Sequence, residues 1–320
     1  MAEEPEHRGS YDLDHPSFTA ESLEETRQRI LGRNPWYVRI LLEALDLNTH
    51  PAPLVVDVGC GTGAYSRLIA RALPSGGCVV GIDLDPPLVV VATQLAATEG
   101  LKERMVFVAG DVLRLPLLEG YADRACCNTL LWLLPDPLAA LKEFVRVVRP
   151  GGLVVTSEPD AGLAVYYDPH DPRLAELAAR SMRVFVRGAR LLWGQDFEIG
   201  RRLPELFRMA GLVEVRALPR FWVDLASDFV AEPAESRRAY YRWQLERMEK
   251  QEDGTDQEAQ RRFRRWEEAR LAGGMTAAEL AEYRERQHRR LRALIEDPER
   301  LTSDVAVRTW GGVIARGRRP

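Results

Sequence analysis

The chain has little of what marks a special class of protein. It has four cysteines, at 60, 78, 126 and 127, and their intervals match neither paired metal ligands nor a disulfide framework. They read as reduced thiols of a cytosolic protein that holds no metal. Lysine is confined to 102, 142 and 250, so nearly all positive charge is arginine, and no function is drawn from that bias. The net charge of -4 offers no overall attraction to nucleic acid or acidic membranes. No apolar run approaches a membrane span, and the acidic start Met1-Ala2-Glu3-Glu4-Pro5-Glu6-His7 has no apolar signal region; the expectation is a cytoplasmic protein. Internal repeats and low-complexity tracts are absent too.

What is present is a chain of 320 residues, 46% hydrophobic, enough to bury a substantial core. Residues 1 to 18 are polar and contain proline, as in a flexible arm. Ser22 to Glu25 has capping-box spacing and predicts a helix start; Asn34-Pro35 interrupts the helical stretch before a second apolar run, Trp36 to Leu47. From Leu54 the pattern alternates: strands at 54–58, 78–83, 105–109 and 123–129, with helices at about 63–73 and 87–99. Asp136-Pro137 starts another helix, with Asp as N-cap and Pro first; Arg149-Pro150-Gly151-Gly152 ends it and launches a strand at 153–157.

Five strands with helical crossovers predict an α/β fold, a doubly wound Rossmann-like sheet with ligands above the strand carboxyl ends. Helices follow at 172–187 and 198–210, then a strand near 213–218, a charged helical segment at 226–300 and a last strand from Val305 to Ala315. The two late strands read as an antiparallel hairpin at the sheet edge. That makes seven strands, mostly parallel, with an antiparallel last strand. The expected domains are an N-terminal arm with cap helices at 1–50, a core at 51–220 plus 303–320, and a helical insertion or lid at 221–302.

Function concentrates at Val55-Val56-Asp57-Val58-Gly59-Cys60-Gly61-Thr62-Gly63-Ala64, a buried strand, an acid and a three-glycine turn. Glycines let the backbone approach a ligand, and the helix that follows points its amides at it. Gly59-x-Gly61-x-x-Ala64 also satisfies a relaxed dinucleotide pattern, so NAD and S-adenosylmethionine compete for this turn. Asp83, ending the second strand, can accept both ribose hydroxyls of either cofactor. The element Gly110-Asp111-Val112-Leu113-Arg114-Leu115-Pro116 puts a second carboxylate where it can meet the exocyclic amine of adenine, and it is not part of a dehydrogenase fingerprint. Asp57 suits a cationic amino-acid portion and would repel a pyrophosphate.

With these residues the chain resembles class I S-adenosylmethionine-dependent methyltransferases, and within them the small-molecule branch that includes ubiquinone and menaquinone biosynthesis methyltransferases. Asp57 to Gly63 is similar to that family's first motif, Asp83 to its ribose-binding acid and Gly110-Asp111 to its adenine-contacting motif. Asn128-Thr129-Leu130-Leu131-Trp132-Leu133-Leu134-Pro135-Asp136-Pro137 resembles its fourth-strand motif, and Arg146 to Gly152 its turn before strand five. The likeness covers about residues 50–218 and the last strand. It implies S-adenosyl-L-methionine as methyl donor and S-adenosyl-L-homocysteine as product, held by Asp57, Gly59, Cys60, Gly61, Thr62, Gly63, Asp83, Leu84, Gly110, Asp111, Val112, Asn128, Thr129 and Leu130. The sulfonium is already an activated donor, so the expected chemistry is in-line transfer that demands alignment and requires a base only for some acceptors.

Where many relatives carry a histidine in the fourth-strand motif this chain has Leu133, which removes that base. Glu158, leaving strand five at the ligand edge, and His170, in the turn Tyr166-Tyr167-Asp168-Pro169-His170, are the remaining candidates; a loop partner and a solvent-exposed turn histidine are their structural alternatives. Tyr37, Trp132, Tyr166 and Trp193 are candidates for lining an apolar or aromatic acceptor pocket, against a role in core packing. Arg261-Arg262-Phe263-Arg264-Arg265-Trp266 interleaves charge and aromatic as RNA-binding segments do, but from 236 to 292 the 15 Arg and Lys face 11 Asp and Glu, as on a solvated, salt-bridged helix. A small-molecule acceptor is therefore favoured over nucleic acid or protein. An enzyme of another class, such as a cyclase using the cofactor structurally, is the competing expectation. The sequence leaves oligomeric state open, with a homodimer admitted.

Overall fold

The computed structural model describes residues 20–33, 35–225, 234–255, 257–297, 299–300 and 306–320. The predicted arm at 1–18 lies outside them, as does Val305. The chain divides into two compact units, one of Met1–Pro159, Glu198–Arg220 and Gly312–Pro320, the other of Asp160–Phe197 and Phe221–Gly311.

The first unit opens with α1 (Ala20–Arg33) and α2 (Pro35–Leu45). Helix α1 already runs at Ala20, so Ser22 stands inside it and does not cap it. Pro35 separates the helices because it leaves no amide to continue α1. Then alternate β1 (Leu54–Val58), α3 (Ala64–Ala72), β2 (Cys78–Asp83), α4 (Pro86–Thr98), β3 (Met105–Ala109), β4 (Ala122–Asn128), α5 (Pro137–Val147) and β5 (Val148–Pro159). Asp136 caps α5 as predicted, accepting from Ala139 N at 2.9 Å with Pro137 in the first turn. Strand β5 is longer than the predicted 153–157, since Val148 already pairs with Ala122.

The sheet order is β3-β2-β1-β4-β5, parallel throughout, and β8 (Val307–Arg318) adds antiparallel to β5, with Leu153 opposite Arg318 and Pro159 opposite Gly312. β7 (Val213–Leu225) pairs with β8, which completes the seven-stranded plan. β1 is central and apolar because both faces are covered: Val55, Val56 and Val58 are buried, as are Leu41 and Leu45 of α2 and Phe144 of α5. The winding runs out from β1 to β3 and returns at β4, so the ends of β1 and β4 flank the switch point where such folds bind ligands. The stretch predicted helical at 198–210 is a short 3-10 turn, Ile199–Arg202, followed by α7 (Leu203–Met209).

The second unit contains α6 (Pro172–Trp193), α8 (Ala234–Asp253), α9 (Gln257–Ala272) and α10 (Ala277–Glu296). Its two-residue strand β6 (Tyr166–Tyr167) pairs antiparallel with Arg308 and Val307. Helix α6, which the sequence assigned to the core span, belongs here. Gly188 and Gly273 explain its seat, because a Cβ on either would overlap a backbone carbonyl, that of Ala269 or Val184. Leu177, Val184, Met275 and Leu280 form one core and Tyr241, Leu291 and Leu294 another. The charges pair across helices, as in Arg173–Glu282 at 3.0 Å and Arg180–Glu279 at 2.8 Å, and Arg290 of α10 pairs with Asp168, ahead of α6, at 2.6 Å. A capping box closes the start of α10, with Thr276 and Glu279 exchanging hydrogen bonds. Among the described residues no helix is long and apolar enough to cross a membrane.

Candidate functional site

The predicted glycine turn stands at the carboxyl end of β1. Gly59, Gly61 and Gly63 have φ of 68°, 55° and 76°, a left-handed run that only glycine adopts cheaply. A Cβ on Gly59 would also come within 2.8 Å of Leu130 Cδ1, in the loop after β4. The turn is held by β2: Gly59 N donates to Ile82 O at 2.7 Å and Gly61 N to Asp83 Oδ2 at 2.7 Å. Asp83 also accepts Asp85 N at 3.0 Å, and burial raises its pKa. It is partly exposed beside Leu84, which is 46% exposed.

Asp57 is 1% exposed beneath this turn. Ser66 of α3 donates to its carboxylate, yet loss of water outweighs that bond and pushes its pKa up to about 7. Burial likewise raises the Cys60 thiol, helped by the charges of Asp57 and Asp83. A buried carboxylate so poorly compensated favours a cation next to it. Gly110 N donates to Asp83 O at 2.9 Å, which sets the β3 loop beside the β2 end. Asp111 is exposed there, its carboxylate accepting Leu113 N at 2.9 Å, and Val112 is half-buried.

The end of β4 carries the second half. Thr129 has φ 60°, unusual for a branched residue, and its amide donates to Ser157 O at 2.8 Å. Asn128 Oδ1 accepts from the hydroxyl of Tyr37, which also meets Ser157 Oγ, both at 2.9 Å. Trp132 is half-buried and donates from its indole to Thr129 O at 3.1 Å. Glu158 is fully buried and answers this loop, accepting Leu130 N at 3.1 Å, Leu131 N at 3.0 Å and Trp132 N at 3.4 Å. Burial pushes its pKa up to about 7 despite those bonds.

The first unit therefore brings together Tyr37, Asp57, Gly59 to Gly63, Asp83, Asn128, Thr129, Leu130, Trp132 and Glu158. His170, Tyr166 and Trp193 belong to the second unit. His170 is exposed, and its amide donates to Asp168 Oδ1 at 3.0 Å. Trp193 lies edge-on to Phe185, with the Arg265 guanidinium 4.4 Å from its ring centre.

Several residues were not legible in the sequence. Thr62 donates to Glu24 Oε2 at 2.5 Å, and buried Arg67 pairs with Glu24 and with Glu99, the latter at 3.0 Å. Arg27 donates to Thr129 Oγ1 at 2.5 Å. Arg220 lies over the Tyr37 ring at 4.8 Å, buried and near Glu158. The spacing of Leu23, Glu24 and Arg27 puts them on one helix face, but no local pattern says which surface that face meets.

A Rossmann-like sheet, a left-handed glycine turn over a buried acid and a ribose-type carboxylate on β2 define the class of sulfonium-cofactor transferases. Residues 56–156 match the family described as a methyltransferase domain. A demethylmenaquinone methyltransferase of Staphylococcus aureus (strain JH9) is 30% identical over 193 residues, 57% of this chain and 75% of that protein. An uncharacterized 37.1 kDa protein in a Streptomyces fradiae transposon is 39% identical over 124 residues, 39% of this chain. The demethylmenaquinone methyltransferase of Lactococcus lactis is 30% identical over 173 residues, 50% of this chain. The chain spans 34% of the Streptomyces protein and 66% of the Lactococcus one, less than two thirds of each. Among solved structures, Haemonchus contortus phosphoethanolamine N-methyltransferase 2 with S-adenosyl-L-methionine shares the fold, with a TM-score of 0.52 at 13% identity, over 96% of this chain and 59% of that one. This chain belongs to the S-adenosylmethionine-dependent methyltransferase family.

The residues present fit that cofactor. The turn is closed to a Cβ at Gly59, where one would meet Leu130 Cδ1 at 2.8 Å, Asp57 favours a cation, and Asp83 is partly exposed at the end of β2.

Proposed function

We propose that the chain transfers a methyl group from S-adenosyl-L-methionine to a small, apolar or aromatic acceptor by in-line displacement. The observation that carries this reading is the glycine cradle at the switch point with Asp57 buried beneath it. The bound cofactor supplies an activated methyl on a sulfonium. Asp57 provides the negative complement to its cationic amino-acid end, and Asp83 accepts the ribose hydroxyls. Asp111, Gly110 and Val112 flank the base, and Asn128 to Leu130 border the methionine end. Trp132, half-buried in the loop after β4, offers apolar surface to an acceptor whose attacking atom must sit about 3 to 3.5 Å from the methyl carbon, whereas Tyr37 of α2, expected to line the pocket, is 2% exposed beneath Arg220 with its hydroxyl on Asn128 and Ser157 and serves as core. Glu158, with its oxygens engaged by three loop amides, holds Leu130 to Trp132 in place. The demethylmenaquinone methyltransferases among the relatives agree with a small-molecule acceptor.

The test incubates the protein with methyl-labelled cofactor and a metabolite extract, then seeks products that have gained one methylene by mass. Label transfer to a small molecule supports the reading. Substrate conversion that leaves the cofactor unconsumed, or label found only in RNA or protein, overturns it.

A further inference from the structure

Within the helical unit, Arg270 of α9 is a largely buried cation without a matching anion. Its Nε donates to Ser181 Oγ of α6 at 2.6 Å, and its guanidinium lies 5.6 Å from the ring centre of Phe185 and 5.9 Å from that of Trp266. Burial lowers its pKa, because a charge that loses its water is disfavoured. The arginines that tie α6 and its start to α10 meet this cost with carboxylates: Arg173 with Glu282, Arg180 with Glu279 and Arg286 with Asp171. Among the described residues no carboxylate pairs with Arg270. Glu267, an acid whose charge reaches it, is paired with Arg284 at 2.8 Å.

Ser181 is neutral and takes one of the five N–H groups of the guanidinium, so the fork keeps both its charge and donors to spare. A desolvated cation of this kind is stabilised when an anion joins it. The place is open on one side, since Arg270 is partly exposed and Trp266 is 47% exposed. Phe185 stands in an aromatic group, its ring centre 5.0 Å from that of Phe197 and 5.5 Å from that of Trp266. Flat rings beside a forked cation suit a ligand with a flat ring and a planar oxyanion. A carboxylate fits better than a phosphate, because one guanidinium balances one charge and Glu267 would repel a second. We propose that the helical unit binds an aromatic carboxylate, its acid on Arg270 and its ring against Trp266. The inference rests on the small-molecule acceptor reading above and names the chemical class of that acceptor.

Titration calorimetry of cinnamate and of the neutral cinnamyl alcohol, against the full chain and Arg270→Gln, tests this. The unaltered chain should prefer the acid, and loss of a charge-assisted pair should weaken cinnamate about 10- to 100-fold in the variant. Cinnamyl alcohol should bind both proteins alike, which also shows that the variant's helical unit is folded. Arg270→Lys keeps the charge without the fork and should retain a reduced preference for the acid; it carries the comparison if Arg270→Gln does not fold. Equal affinity of the unaltered chain for acid and alcohol, equal weakening of both in the variant, or no binding of cinnamate overturns the proposal. Phenyl phosphate bound more tightly than cinnamate would overturn the carboxylate in favour of a phosphate. A chain that binds S-adenosylhomocysteine but not cinnamate loses only the Arg270 site, and one that binds neither loses the cofactor reading as well.

Discussion

A carboxylate buried as completely as Asp57 loses its water and is held neutral up to about pH 7, where in solution it would ionise near 3.8. A raised pKa of this kind stabilises the fold fully below the unfolded value, and the contribution is lost as pH rises through about 7. A ligand that sets its ammonium beside Asp57 prefers the ionised form, so its binding must release this proton at lower pH. S-adenosylhomocysteine affinity should therefore rise between pH 5.5 and 7.5, by up to about tenfold per pH unit below the pKa, and then level off. Asp57→Asn should flatten that profile in calorimetry, and a slope that persists in the variant would place the titrating group elsewhere. Glu158 has the same pKa direction and a different role. Glu158→Ala strands three amides and should cost about 3 kcal/mol or more in urea unfolding. In Glu158→Gln the pH profile of methyl transfer should keep its shape; disappearance of a limb near pH 7 would make Glu158 the base.

At the scale of elements, the strands and helices of the first unit were legible because their causes are local. Cys78–Asp83 and Met105–Ala109 appear where the apolar runs predicted them, and Asp136-Pro137 starts α5 by capping an amide three residues on. The capping-box spacing at Ser22 misled because the same pattern occurs inside a helix, while the box that forms is at Thr276. The seat of α6 depended on a contact far along the chain that no periodicity records. Gly188→Ala tests it. In an exposed helix that change would stabilise by roughly 1 kcal/mol, but here the new methyl would overlap the Ala269 carbonyl. Thermal unfolding should show a net loss of about 1 to 3 kcal/mol, and a gain in stability would refute the close α6–α9 packing.

For the whole molecule, a ligand that binds only the folded chain must stabilise it by mass action. S-adenosylhomocysteine at about 100 times its Kd should add roughly 2.7 kcal/mol and raise Tm by several degrees. NADH should leave Tm unchanged, because Asp57 disfavours a pyrophosphate over the turn. A shift with NADH and none with S-adenosylhomocysteine would reverse the assignment of cofactor.

The sequence by itself determined the glycine turn between β1 and α3, the cap at Asp136-Pro137 and the turn at Pro150-Gly151-Gly152, which act within a few residues of where they stand, so their spacing is their structure. The tertiary structure decided what depends on distant partners. It put Glu24 and Arg27 of α1 against Thr62 and Thr129, stacked Arg220 on Tyr37, engaged Glu158 with three amides of the β4 loop and gave α6 to the helical unit. The physical reason is that hydrogen bonds, ion pairs and close packing act across the folded chain, whereas glycine torsions and strand alternation act along it.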